Sequence, residues 1–211
     1  MSVAITEAIT TLAEAEQRFH LTRTEAEAFF LEWNTDLPSL SESEKTGLMD
    51  LCRRYLYQRS QGQLLESTVL LLFASPLLTL AGFYDPPFRV KAEDSVQLIL
   101  PDSEEVLQGR LDVLVLKDQL WVVVLESKKT ALSVWSALPQ TLAYLSAAPQ
   151  PKQPAYALMT NGDDSVFVKL QKGTNGVYSV SRVFSALTSI HELYRVLQVL
   201  KWFGQVIEVE T

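Results

Sequence analysis

A chain of 211 residues, 47% apolar and 20% charged, is long enough for one substantial core. Its membrane-like run, residues 69–83, is interrupted by Pro76 and is shorter than the roughly 20 residues a bilayer requires. No basic leader precedes an apolar run and cleavage site, and Cys52 as the single cysteine excludes an intrachain disulfide or a cysteine-based zinc site, so a reducing, cytoplasmic setting is expected. The net charge of −7 arises wholly within residues 1–50, which hold ten acidic side chains against three basic ones, whereas residues 51–211 hold fifteen of each. That balance argues against tight nonspecific binding to nucleic acid but leaves room for a local basic groove.

The first sixty residues are expected to be helical. Thr22 with Glu25, and Ser41 with Glu44, stand three apart as capping boxes, and Pro38 lies in the loop between the two helices. A third helix is expected over residues 63–80, apolar nearly all round and so buried, with Glu66 as its one charge. From Phe88 the apolar period changes to two: Phe88, Val90 and Ala92, then Val96, Leu98 and Leu100 after a turn at Asp94-Ser95. Residues 111–116 and 120–125 read as an antiparallel hairpin around Lys117-Asp118-Gln119, apolar on both faces as in a central, doubly covered pair. A helix to about Ala148 follows, then strands at 155–160 and 165–170 around Asn161-Gly162, an edge strand at 177–183 and an amphipathic helix over 186–203. The expected class is therefore α/β (α+β), a central mixed sheet flanked by helices, with a helical segment over residues 1–60 and the main domain over 61–211.

A hairpin turn centred on residue 119 places Asp112 opposite Glu126, with Cβ atoms about 4.5–5.5 Å apart. Lys128, two residues further on, projects from the same face. Two carboxylates held together repel each other, and a divalent cation with oxygen ligands, Mg²⁺ or Mn²⁺ in its place, offsets that cost. Lys128 beside it could orient an attacking water or stabilise a pentavalent phosphate. The competing interpretation is a pair of strand-end carboxylates in solvent, with Lys128 opening a loop.

The stretches Gly109-Arg110-Leu111-Asp112 and Leu125-Glu126-Ser127-Lys128-Lys129 resemble the PD-(D/E)XK nuclease signature. Gln140 and Tyr144, one helical turn apart, resemble the Gln-x-x-x-Tyr pair of nuclease domains in recombination helicases and type I restriction R subunits. The segment 157–162, which ends in Thr160-Asn161-Gly162, and the following 166–170 resemble the hairpin of the R-subunit N-terminal domain, so the resemblance covers roughly residues 63–170. It implies a restriction-endonuclease-like core that hydrolyses DNA phosphodiesters. Asp112 and Glu126 would be metal ligands, Lys128 the catalytic lysine, and Glu66 a supporting acid on the first core helix. Gln140 and Tyr144 would help position DNA or the site. Glu66 could equally be a charge favoured at a helix start, and Gln140 and Tyr144 a helix face packed on the sheet. Lys129 receives no role.

No Gly-x-x-x-x-Gly-Lys-Ser/Thr motif is present in these 211 residues, so no ATP site is visible, and a helicase subunit in trans is one expected partner. The alternative function is a noncatalytic interaction protein or complex subunit that keeps the fold. A further possibility is that residues 1–60 cover the DNA groove. His20 and His191 are isolated, and Arg53, Arg54 and Arg59 are expected on a solvated helix face or against phosphate.

Overall fold

The computed structural model describes residues 2–99, 106–117, 120–149, 152–173 and 175–206, with the side chains of 2, 99, 120, 122–127 and 206 left outside the description. Leu100, Asp118, Gln119 and Pro151 therefore lie outside the described residues, as does the side chain of Glu126.

Residues 1–60 are not uniformly helical. They open with a strand, β1 (Ser2–Ala4), and two short helices, α1 (Ile5–Ala8) and α2 (Leu12–Arg18), before a second strand, β2 (Leu21–Arg23). The capping box that starts α2 is Thr11 with Glu14, closed by hydrogen bonds of 2.9 and 3.2 Å. The expected Thr22–Glu25 box does not form, because Thr22 pairs with Val177 in the sheet and a single 3₁₀ turn, Glu27–Phe29, is all that follows. Tertiary strand pairing here overrides a local helix signal. The Ser41–Glu44 box does form and opens α3 (Glu42–Ser60).

The next helical run is α4 (Glu66–Val69), a widened stretch Leu70–Ala74, and α5 (Ser75–Leu80). Ser75 N–H bonds the carbonyl of Leu70, five residues back. The widening ends at Pro76, which has no N–H to continue the α-helical ladder. The run is not buried all round: Leu65 and Leu71 are each 68% exposed, while Val69, Phe73, Leu77 and Leu78 form the inner stripe.

Phe88–Ile99 is one strand, β3, rather than two around a turn; the Asp94-Ser95 pair lies within its ladder to β4 (Val106–Lys117). β4 pairs antiparallel with β5 (Leu120–Ser127), and α6 (Leu138–Ala147) crosses from β5 to the parallel strand β6 (Ala155–Thr160). β7 (Asp164–Gln171), β8 (Gly176–Val180) and β9 (Phe184–Ser185) follow, and α7 (Ile190–Val206) ends the described chain. The sheet runs β1-β4-β5-β6-β7-β8-β2, with β3 also on β4 and β9 on β7.

Helices cover both faces. Tyr55 of α3, Phe73 of the widened run and Phe203 of α7 pack with Val113 and Val115 on one side, while Ile5, Ala15, Leu142 and Tyr144 pack with Leu114 on the other. This double cover explains why β4 is apolar in both directions. No helix among the described residues is long and apolar enough to cross a membrane.

Candidate active site

The pairs Val113↔Leu125, Leu114↔Val124 and Val115↔Val123 follow the expected register about residue 119. A bulge between Val115 and Leu116 then moves Leu116 opposite Trp121. The ladder stops one step short of Asp112 and Glu126, which are the next positions in the same register, and Glu126 pairs on its other side with Met159 of β6.

At Asp112 the alternation of β4 breaks. Leu107 and Leu111 face the α6 layer, whereas Val113 and Val115 face the α3–α5–α7 layer, although all four positions are odd. β3 switches at the matching place: Phe88 and Val90 pack toward the α3 layer, Val96 and Leu98 toward α6. Ala92↔Val113 and Asp94↔Leu111 are paired, so Glu93 is the residue across from Asp112. Glu93 has φ 54°, a left-handed conformation that costs a non-glycine residue of order 1 kcal/mol and that collects at functional sites. The two strands thus turn over together, and their irregular pair opens into a cleft of about 420 Å³ lined by Leu65, Glu66, Leu70, Glu93, Asp112 and Lys129.

Glu66, at the start of α4, is 48% exposed, and its Oε1 is 3.4 Å from Nζ of Lys128, which is 12% exposed. Glu93 Oε2 lies 3.4 Å from Arg110 Nη1. Asp112, Glu66 and Lys128 are therefore brought to one place, and the backbone of Glu126 is adjacent. Glu93 and Lys129 were not among the expected site residues. The polar run around Asp94 looked like a turn and so concealed Glu93; only its register across from Asp112 identifies it. Among the described side chains no three His, Cys, Asp or Glu residues are gathered closely enough to hold a metal.

Tyr144, expected to help position DNA or the site, is buried in the layer of α6. It is 1% exposed and donates its hydroxyl to the carbonyl of Arg110 at 3.0 Å, inside the layer opposite Glu66. Its ring packs where a Cβ on Gly109 would stand, 2.7 Å from Tyr144 Cε1. It therefore braces β4 just before Asp112. Gln140 is half-buried on the same helix. Arg53 and Arg54 lie on an exposed face of α3 with Asp50, at 3.3 and 3.9 Å.

The loop after β5 is held from beneath. Lys128 N–H donates to the carbonyl of Thr160 at 2.8 Å, and Asn161 Nδ2 donates to that of Leu132 at 2.8 Å. The Thr160-Asn161-Gly162 turn is itself built on side chains: Asp164 N–H reaches Asn161 Oδ1 at 2.8 Å and Gly162 N–H reaches Thr160 Oγ1 at 3.0 Å. Asp163, next in line, accepts from Tyr55 Oη at 2.6 Å. Burial, with the Asp163 carboxylate beside it, pushes the Tyr55 phenol well above its ordinary pKa, so it remains a donor.

Gly162 has φ 87°, and a Cβ there would stand 2.4 Å from Tyr55 Oη. Left-handed strain together with overpacking makes Gly162→Ala destabilising by about 2–5 kcal/mol. A thermal melt should show a midpoint lowered by roughly 5–15 °C. An unchanged melt would show that Tyr55 yields freely.

Comparison with models of known protein families finds no match, and comparison with curated proteins finds none either.

Proposed function

We propose that this protein is a metal-dependent nuclease that hydrolyses DNA phosphodiester bonds in the PD-(D/E)XK manner, on a restriction-endonuclease-like core, in the cytoplasm. The observation that carries the reading is the cleft at the paired strand irregularity. Glu66, Glu93 and Asp112 line it, Lys128 reaches Glu66 at 3.4 Å, and Glu126 is next in register to Asp112.

The donor set fits a hard divalent cation, since it offers carboxylate oxygens without sulfur or imidazole. Asp112, Glu126 and Glu66 would hold Mg²⁺, or Mn²⁺ as a substitute. When bound, the ion supplies charge neutralisation at the phosphate and a more acidic water. Lys128, 12% exposed and 3.4 Å from Glu66 of the cleft, is the cation that would orient the attacking water and stabilise charge on the phosphoryl oxygens. Its ion pair with Glu66 holds it there, and Tyr144 fixes the strand that carries Asp112. Exposed Arg110, whose Nη1 lies 3.4 Å from Glu93 of the cleft, would meet the DNA backbone there, and Gln140 on α6 is the further polar group that the resemblance assigns to DNA.

Supercoiled and linear DNA incubated with the purified protein should be cut with Mg²⁺ or Mn²⁺ and left intact with EDTA. Absence of cutting with either ion, across salt concentrations, would sink the reading.

One observation favours a second reading, a noncatalytic subunit acting with a protein partner such as a helicase in trans. A net charge of −7 gives no general attraction to phosphate. Calorimetric titration with Mg²⁺ and Mn²⁺ separates the two, because only the nuclease reading requires heat of binding that disappears with the cleft carboxylates.

A further inference from the structure

Two limbs of chain carry the ion pair at the cleft. One runs from Gly62 through Leu64 to Glu66; the other runs from Ser127 through Lys128 to Leu132. They are tied directly to each other, Leu64 N–H to Thr130 Oγ1 at 2.9 Å and Thr130 N–H to Leu64 O at 3.1 Å. The second limb is tied as well to the turn between β6 and β7 through Thr160 and Asn161.

Arg59, near the end of α3, reaches both limbs. Its Nε lies 3.1 Å from each carboxylate oxygen of Asp163, in the turn that holds Lys128, and its Nη1 donates to the carbonyl of Gly62 at 3.2 Å, at the root of the limb that bears Glu66. The arginine side chain is 30% exposed and that of Asp163 is 12% exposed.

We infer that Arg59 is a positioning residue for the cleft, setting how closely Lys128 and Glu66 approach each other without touching a substrate; its consequence for catalysis rests on the nuclease reading. A largely buried ion pair confers little net stability over an apolar contact of the same size, so stability alone does not account for an arginine here. The guanidinium is a rigid planar fork whose donors point in fixed, different directions. It can therefore hold a carboxylate on one limb and a carbonyl on the other at a set separation. A lysine ammonium carries its three donors on one nitrogen, so it can neutralise Asp163 but does not hold the two acceptors at the separation that the guanidinium sets. Displacing such support typically costs a site about 10- to 100-fold in activity.

The test compares Arg59→Lys and Arg59→Ala with the native protein by amide hydrogen exchange, thermal melting and cleavage kinetics with Mg²⁺. Arg59→Lys should melt close to the native protein and keep the β6 and β7 amides protected. It should lose protection at the amides of Lys128 and Thr130, and kcat should fall about 10- to 100-fold at little changed KM. In a Lys128→Ala background the same substitution should have no further effect on kcat. If both amides stay protected in both variants, or if protection is lost while kcat is unchanged, the inference is overturned. If the native protein does not cleave DNA, the nuclease reading falls by itself. The exchange result then still decides whether Arg59 holds the limbs, and retained protection overturns that too.

Discussion

Asp112→Asn is expected to lower metal-dependent DNA cleavage by about 10³-fold, because a ligand charge at a metal and phosphate site accounts for several kcal/mol of transition-state stabilisation. The amide is nearly the same size as the carboxylate, so the substitution removes a charge and leaves the shape of the cleft. Asp112 is half-buried at the point where β4 changes faces, and it does not belong to either core cluster. An isosteric change at a half-buried position alters stability by about 1 kcal/mol, and the melting midpoint should move by only about 2–4 °C. Single-turnover cleavage with Mg²⁺, measured beside the melt, checks both parts. Cleavage retained at the native rate would remove Asp112 from the ligand set. A lost fold would mean that the strand irregularity itself depends on the carboxylate.

Deletion of residues 1–23 should abolish cooperative folding, in contrast to the enhanced DNA binding expected of a removable cover. β1 pairs with Val106–Gln108 of β4, and β2 pairs with Gly176–Tyr178 of β8, so both ends of the sheet's main path come from this segment. Ile5, Ile9, Ala15 and Leu21 are at most 8% exposed. The three larger side chains alone represent about 5–9 kcal/mol of burial, comparable with the 5–15 kcal/mol by which a typical domain is stable. Tyr178 Oη also donates to Glu16 at 2.7 Å, and that link would be lost. The cleft containing Asp112 is lined by residues that lie between 65 and 129. Residues 27–40 pack on strands and a helix of the main domain: Glu32 pairs with Lys169 of β7, Trp33 meets Phe184 of β9 edge-on, Gln198 Nε2 of α7 donates to Pro38 O at 2.8 Å, and Leu37 and Leu40 pack against the core. Near-UV circular dichroism and a thermal melt of the truncated chain check the prediction. A sharp melting transition with raised DNA affinity would restore the cover.

How legible each part was depended on whether its cause was local. Ser41 with Glu44 named the start of α3 because a capping box closes within four residues. Thr160-Asn161-Gly162 named a hairpin because its side chains bond their own turn, and the β4–β5 register put Asp112 opposite Glu126, one step beyond the last observed pair. Thr22 with Glu25 misled, since a capping signal cannot report that β8 has an edge in need of a strand. Tyr144 was ambiguous in another way: a tyrosine on an amphipathic face reads the same whether its hydroxyl meets a ligand or the carbonyl of Arg110, to which it donates at 3.0 Å.

By itself, then, the amino-acid order determined the central antiparallel pair and the mixed class with helices on both faces, which follow from period, turn chemistry and short-range register. The tertiary structure alone decided that Glu93 faces Asp112, that Glu66 meets Lys128 across 62 residues, and that Arg59 ties together limbs from both sides of the cleft. Those juxtapositions depend on how a twisted sheet turns over at one irregular pair and on which helix packs above it, and neither is encoded in any local stretch of chain.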